Sequence, residues 1–272
     1  MRRIALISAL LTVCIKLGYG QLTYVPDKFQ PGEKFTLNIY YNWGFIWLNA
    51  GWASFEIRDT TWNSQPALHL FSNGSTYSGY DWFYKVRDTY ESIVEPGTYR
   101  PYWFHCNTNE GGYIDKEITT FNYADSIAIA KTETSKRGER IDTLKVTPEI
   151  TDLVSAIYRC RSIDFSKIEI GQQVPVPVLV CNKIYNLHFR YIGKEEVTTK
   201  DGDVYNCRKY AVMMVDGTIF KGGEDLTAWI TDDMNCAPVM MEAKIAVGSV
   251  KAFLTEIKGT KWEVSKKSVK KP

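Results

Sequence analysis

The chain has 272 residues, 44% of them hydrophobic and 14% aromatic, so one domain with a sizeable buried core is the simplest organisation. Charged residues make up 24% and the formal net charge is +2, values that exclude a wholly disordered chain and a strongly basic nucleic-acid binder. The aromatic content favours strands over helices.

The N-terminus has the pattern of a secretory signal peptide. Two arginines precede an apolar run over residues 4–15, and small residues stand at positions 18 and 20, before a predicted cleavage site at Gln21. The apolar run is shorter than the ~20 residues that a membrane-spanning helix needs. We therefore predict a signal peptide over residues 1–20 and a periplasmic or secreted mature protein without a transmembrane span; lipidation at Cys14 is the alternative.

Alternating apolar and polar residues predict a series of strands after the signal peptide. The first strand runs from Phe35 to Trp43, and the second has Ala53, Phe55 and Ile57 on one face. Further strands are predicted at residues 66–71, 89–94, 102–108, 112–121 and 127–134, separated by turn residues. The charged run at 136–140 is predicted to be a solvated loop.

One segment has helical periodicity. Thr147 can cap a helix that begins at Pro148, and apolar residues then recur three and four positions apart up to Tyr158. Arg159 and Arg161 lie in the last turn, where cations are favourable. The sequence predicts one principal helix near residues 148–161, packed against the sheet by its apolar side.

Strands resume after Gly171 and fill the C-terminal part of the chain. The last hairpins include a turn that contains Asp232 and Asp233. Adjacent strand residues point to opposite faces, so we interpret this acid pair as turn chemistry and not as a metal or acid–base site. One domain is predicted over residues 21–260, followed by a basic disordered tail at 261–272; contact of this tail with anionic lipid or an acidic partner is the alternative.

The sequence has no recognisable pattern for catalysis or metal binding. Its three histidines form neither HxH nor HExxH. Five widely spaced cysteines follow the signal peptide; Cys207 and Cys236 are the first choice for a disulfide, with buried free thiols as the alternative. We predict no cofactor, no bound metal and no enzymatic activity.

Aromatic residues around the first tight turn form a candidate ligand groove. Trp43, Phe45, Trp47 and Trp52 surround this turn, and Arg87 follows a second aromatic-rich segment. Such a cluster can form the mouth of a lipid or peptide groove, or it can cap an ordinary core. Arg87 can bind an anionic headgroup or form an ion pair at a strand end.

Four blocks in the chain carry a family resemblance when they are taken in order. They are residues 41–53 with their glycine turn, 83–88, 152–159, and 228–233 followed by Pro238 and 248–250. This order resembles the domain of unknown function 3108 family of exported bacterial proteins. The resemblance implies an envelope location and an antiparallel sheet around a helix, and more loosely it is similar to periplasmic lipoprotein carriers, which hold acyl chains in an open half-barrel.

From these features we expect a monomeric, mainly β protein of the cell envelope, with a large curved antiparallel sheet (an open half-barrel) packed against one principal helix. Its expected role is non-enzymatic binding of an apolar ligand, such as a lipid or a lipoprotein-like molecule, or of a hydrophobic segment of an envelope protein. The alternatives are an envelope enzyme of unknown reaction and a structural or assembly module that acts through protein–protein contacts.

Overall fold

The computed structural model describes residues 22–43, 45–82, 84–214, 223–244 and 248–267. The predicted signal peptide lies outside these residues. Within them, no helix is long and apolar enough to cross a membrane.

A single antiparallel sheet dominates the described chain. Its strands are β1 Lys34–Trp43, β2 Ile46–Trp62, β3 Gln65–Thr76, β4 Arg87–Val94, β5 Pro101–Glu110, β6 Tyr113–Asn122, β7 Ile127–Thr134, β8 Arg137–Lys145, β9 Gln173–Val180, β10 Lys183–Thr198, β11 Val204–Met214, β12 Gly223–Thr231, β13 Pro238–Lys244, β14 Ser249–Lys258 and β15 Lys266–Lys267. Helix α1 spans Leu153–Arg161, and single 3-10 turns lie at Ser78–Tyr80 and Phe165–Lys167.

The strand order shows an open sheet with two edges. It runs β8-β7-β6-β5-β4-β3-β2-β1-β14-β13-β12-β11-β10-β9, and β15 pairs with β11. From β1 to β8 and from β9 to β14, consecutive strands are neighbours in the sheet; β1 pairs with β14 and so joins the two halves, whereas β8 and β9 form the two opposite edges. This arrangement confirms the predicted fold class of an antiparallel sheet that does not close into a barrel, with one principal helix.

Contacts between distant strands show that the sheet curves. The amide of Cys181, in the β9–β10 turn, donates to Glu117 Oε2 on β6 at 2.5 Å, and Asn182 hydrogen-bonds Asp142 on β8. Helix α1 packs against the neighbouring strands β3 and β4 and also against β9, which lies at the far edge of the strand order. A flat sheet could not make these contacts, so the sheet wraps around α1 as a half-barrel.

Helix α1 begins later than the sequence predicts. Thr151 forms a parallel bridge with Val178 of β9, which holds residue 151 in an extended conformation. Asp152 is the N-cap instead of Thr147: its Oδ1 accepts hydrogen bonds from the amides of Val154 at 2.8 Å and Ser155 at 2.9 Å, and the Ser155 hydroxyl accepts from the Asp152 amide. This reciprocal capping box satisfies donors that a helix start otherwise leaves open.

Two charged segments that were predicted as irregular take part in the sheet. Residues 137–145 form edge strand β8, because their backbone pairs antiparallel with β7. The described part of the C-terminal tail also differs from the disordered tail predicted at 261–272. Trp262 donates its indole N–H to the Lys28 carbonyl at 3.2 Å, and Lys266 and Lys267 pair with β11.

Candidate functional site

A cavity lies between α1 and the sheet; we call it the helix cavity. Its volume is about 210 Å³, and its walls come from α1, the 3-10 turn at Phe165–Lys167, and strands β1, β2 and β10–β13. Six aromatic residues contribute to its lining: Phe35, Phe55, Tyr158, Phe165, Phe189 and Tyr210. The remaining lining is mostly aliphatic, so the helix cavity presents a carbon surface.

Strand periodicity explains how these side chains converge. Tyr210 and Val212 are two residues apart on β11, and Ala228 and Ile230 are two apart on β12, so each pair shares one face. The register places Tyr210 beside Ala228, and Ala228 beside Met241 of β13. Trp229 points the other way and packs in a second core cluster.

Small residues leave the helix cavity open. Ala228 lines it from the sheet and Ala156 lines it from α1, between larger neighbours. Well-packed protein interiors contain few voids larger than a water molecule. The helix cavity is partly open to solvent, since Ile157 in its lining is 39% exposed, and its volume of about 210 Å³ is smaller than the ~300–1,000 Å³ of typical ligand sites.

A buried ion pair adjoins the helix cavity at Arg161, one of the residues that line it. The Arg161 guanidinium, at the end of α1, binds both carboxylate oxygens of Glu33 at 2.8 and 3.1 Å, and it also donates to the carbonyls of Asn235 and Cys236. The guanidinium lies 4.1 Å from the centroid of the Phe29 ring. Because Arg161 is held by these partners, it completes the wall of the cavity without offering a free charge to a ligand.

Lys28 joins this buried cluster from the N-terminal segment. Its ammonium donates to the Arg161 carbonyl at 2.6 Å and to Cys236 Sγ at 3.2 Å, and the residue is 3% exposed. The cluster therefore links three places in the chain: the segment before β1, the end of α1 and the β12–β13 turn.

Burial suppresses the acid–base chemistry of the side chains around the helix cavity. Desolvation raises the pKa of Tyr158 and of Tyr210, and it raises the pKa of Cys160 to about 12, so all three stay protonated at neutral pH. The hydroxyls of Tyr158 and Tyr210 are buried, with no hydrogen-bond partner among the described residues.

A second, larger concavity lies on the outer side of α1, along β9; we call it the outer groove. Its volume is about 1040 Å³, and it is bounded by residues 22–27, the β4–β5 turn, α1, β9 and β10. Its lining is mixed, with amide, hydroxyl and charged side chains beside prolines and aliphatic residues. Cys160 of α1 lines both the helix cavity and the outer groove.

The described side chains of the sequence-predicted groove do not line the helix cavity. Phe45 is 93% exposed in the β1–β2 turn, and Trp47 is 40% exposed on β2, where the Lys200 ammonium lies 3.9 Å from its ring centroid. Trp52 is half-buried on β2. Trp43 is the last residue of β1, and its side chain lies outside the described part.

Arg87 forms an ion pair at the start of β4. Its guanidinium binds both oxygens of Asp81, at 2.7 and 3.1 Å, and also donates to Thr76. The side chain therefore fixes the loop between β3 and β4, and it does not line the helix cavity.

The described cysteines are all free thiols, so the structure does not form the disulfide suggested between Cys207 and Cys236. Cys207 lies on β11 with its thiol 3.7 Å from the Tyr205 carbonyl oxygen, while Cys236 contacts Lys28 and the Asp233 carbonyl. Both residues are buried, in agreement with the alternative of buried thiols.

The acid pair of the last hairpins has the predicted turn role. Asp233 Oδ1 accepts from the amides of Asn235 at 2.9 Å and Cys236 at 3.1 Å, and Asp232 forms ion pairs with Lys194 and Arg208 at 2.5 Å each. Among the described residues, no group of three or more His, Cys, Asp or Glu side chains could hold a metal ion.

The comparisons with known proteins identify a family. The family model described as "Protein of unknown function (DUF3108)" matches residues 25–255. The chain belongs to this family. DUF3108 membership agrees with the resemblance found in the sequence, and a search of curated protein sequences gave no match.

A solved structure supports the fold of this DUF3108 protein. The chain is similar to a crystal structure titled as a beta-barrel-like protein of domain of unknown function DUF1849 from Brucella abortus. The TM-score is 0.55 at 9% sequence identity, and the similarity covers 87% of this chain and 99% of the other. At this identity the similarity concerns the fold alone.

Sequence patterns found only part of the site. Ala228 and Ile230 alternate with Thr227 and Trp229, which predicts that they share one face of a strand, but this alternation gives no sign that the face borders a cavity. Glu33 and Lys28 lie in an irregular segment, and nothing local marks them as partners of Arg161, which is over a hundred residues away.

Proposed function

We propose that this DUF3108 protein is an exported protein of the cell envelope that binds an apolar ligand, or a hydrophobic segment of a partner, in the helix cavity. The observation that supports this role most directly is a cavity of about 210 Å³ with a carbon-rich lining between α1 and the sheet. Each Å² of apolar surface that a ligand buries there contributes ~25 cal/mol before the costs of association are subtracted.

The proposed role is non-catalytic. Acid–base or nucleophilic catalysis needs a group with a pKa near the working pH. Burial instead keeps Cys160, Tyr158 and Tyr210 protonated at neutral pH, and Arg161 is held by Glu33. Because these groups are either protonated or already paired, we expect the cavity to hold its ligand by shape and apolar contact.

Binding can be measured directly with an uncharged fluorophore, N-phenylnaphthylamine, whose emission rises in apolar surroundings. We expect saturable binding to the purified mature protein and displacement by single-chain lipids. Native mass spectrometry and solvent extraction of the same preparation should detect co-purified lipid. Absence of both fluorophore binding and bound lipid would contradict the proposal. Stoichiometric recovery of one protein partner without lipid would favour an assembly module.

The exported location has its own test. N-terminal sequencing of the protein recovered from a secreting host should begin at Gln21, as the sequence predicts. A chain that stays in the cytoplasm would contradict an envelope role, whereas an exported chain that begins at Cys14 would support the lipidation alternative.

A further inference from the structure

The helix cavity has an apolar lining, whereas the outer groove has a mixed lining of polar and apolar side chains, and the two share a wall. Cys160 of α1 lines both of them. The helix cavity is too small for a whole lipid, whereas the outer groove has about 1040 Å³. A molecule that used both would place an apolar part on one side of Cys160 and a polar part on the other.

We propose that the ligand is a single-chain amphiphile with an uncharged, hydrogen-bonding head group. Its chain occupies the helix cavity, and its head lies in the outer groove. This inference rests on the proposed function, because it assigns the class of ligand to the same cavity.

The charges of the outer groove favour an uncharged head. Among its described lining residues, the charged side chains are Asp27, Glu149 and Arg159. Arg159 forms an ion pair with Glu149, and its guanidinium also lies 5.2 Å from the centroid of the Tyr24 ring. The remaining charge is the carboxylate of Asp27, which repels a carboxylate or phosphate head.

The polar lining of the outer groove suits hydroxyl groups. Gln173 on β9 and Asn186 on β10 are exposed side chains with both donors and acceptors, and Thr98 lies across from them in the β4–β5 turn. Hydroxylated heads, such as glycerol or a sugar, can both donate to and accept from such side chains.

Two lipids with the same chain test the head group. Wild-type protein should bind monodecanoylglycerol at least ten-fold more tightly than decanoate, measured by displacement of N-phenylnaphthylamine. Equal affinity, or a preference for decanoate, would overturn the uncharged head.

A pair of double variants tests the place of the head. Gln173→Ala with Asn186→Ala should weaken monodecanoylglycerol binding at least five-fold and leave fluorophore affinity unchanged. The matched control is Gln65→Ala with Asn122→Ala, which changes the same residue types at exposed positions outside the groove. Monodecanoylglycerol affinity that is the same in both double variants would overturn this placement.

The two proposals fail in different ways. If wild-type protein binds the fluorophore and lipids but the groove variants behave like wild type, only the amphiphile inference is wrong. If wild-type protein binds neither fluorophore nor lipid, the proposed function is wrong and this inference is wrong with it.

Discussion

Glu33 and Arg161 show how much one distant residue pair contributes to the site. Both are almost fully buried, and each carries a charge that would be costly to bury alone. Their pairing fixes the end of α1 against the segment that precedes β1. Such pairs add little stability compared with apolar packing, but the loss of one partner is costly because it leaves an uncompensated charge.

We therefore expect Glu33→Gln to lower the free energy of unfolding by about 3 kcal/mol, measured by urea denaturation. The control is Glu56→Gln, which removes a carboxylate from an exposed pair with Arg58 and should cost less than ~1 kcal/mol. Similar losses of unfolding free energy in the two variants would show that the buried pair contributes no more to stability than the exposed pair.

Asp152 makes the stability of the folded protein depend on pH. Desolvation raises the pKa of this N-cap carboxyl to about 6, above its value in the unfolded chain. The folded protein thus binds the proton more readily than the unfolded one. The contribution of Asp152 to stability is largest below pH ~4 and falls as the pH rises from ~4 to ~6.

Wild-type protein should accordingly lose ~2 kcal/mol of unfolding free energy relative to Asp152→Asn between pH 4 and pH 7, because asparagine keeps the cap acceptor without the charge. Asp164→Asn is the control, for which the pH dependence of the stability difference should have the opposite sign. Hydrogen bonds from Ser166 lower the pKa of Asp164, so wild type should be more stable than Asp164→Asn near neutral pH and should lose this advantage at the acidic end, as the carboxyl becomes protonated. A pH-independent difference for Asp152→Asn would contradict this account.

At the scale of elements, the two edges of the sheet are protected in different ways against pairing with a strand of another chain. Edge strand β8 carries charged residues along most of its length, and its residues are largely exposed. Edge strand β9 contains Pro175 and Pro177, which have no N–H to offer to another strand. Both devices disfavour pairing with a second chain.

The same edges explain two differences from the sequence-based prediction. The local charge predicts a loop at 136–140, but backbone pairing with β7 makes most of this segment a strand. Helical periodicity extends back to Ile150, yet the bridge of Thr151 with β9 prevents helix formation until Asp152. In both places a long-range strand partner overrides a local preference.

The docked part of the C-terminal tail acts as a structural element. Asn235 exchanges hydrogen bonds with Trp262 in both directions, and the Ser265 amide donates to Asp233 at 2.8 Å. Removing residues 262–272 should lower the unfolding free energy by about 2 kcal/mol, since several side chain–backbone hydrogen bonds are lost. Removal of residues 268–272 alone keeps every described contact and should have little effect on stability. Equal thermal denaturation midpoints for the two truncated proteins would refute a structural role for the tail.

At the scale of the whole molecule, period-two alternation and turn residues predicted the antiparallel strands, because a half-buried sheet imposes that pattern on each strand, and apolar residues three and four positions apart predicted the single helix. It could not predict the cavity. Whether Ala228 faces solvent, a filled core or a void depends on α1, which the curvature of the sheet brings over β12. The exposed aromatics around Phe45 were the stronger local signal, and they lie outside the cavity.

The central claim is that the helix cavity binds an apolar ligand, and filling that cavity tests it most directly. In Ala228→Phe the new ring should occupy the space between β12 and α1, and we expect at least a ten-fold loss of N-phenylnaphthylamine affinity with a cooperative unfolding transition retained. Ala124→Phe, at an exposed turn, should bind like wild type. Equal fluorophore affinity in wild type and a folded Ala228→Phe variant would contradict the claim.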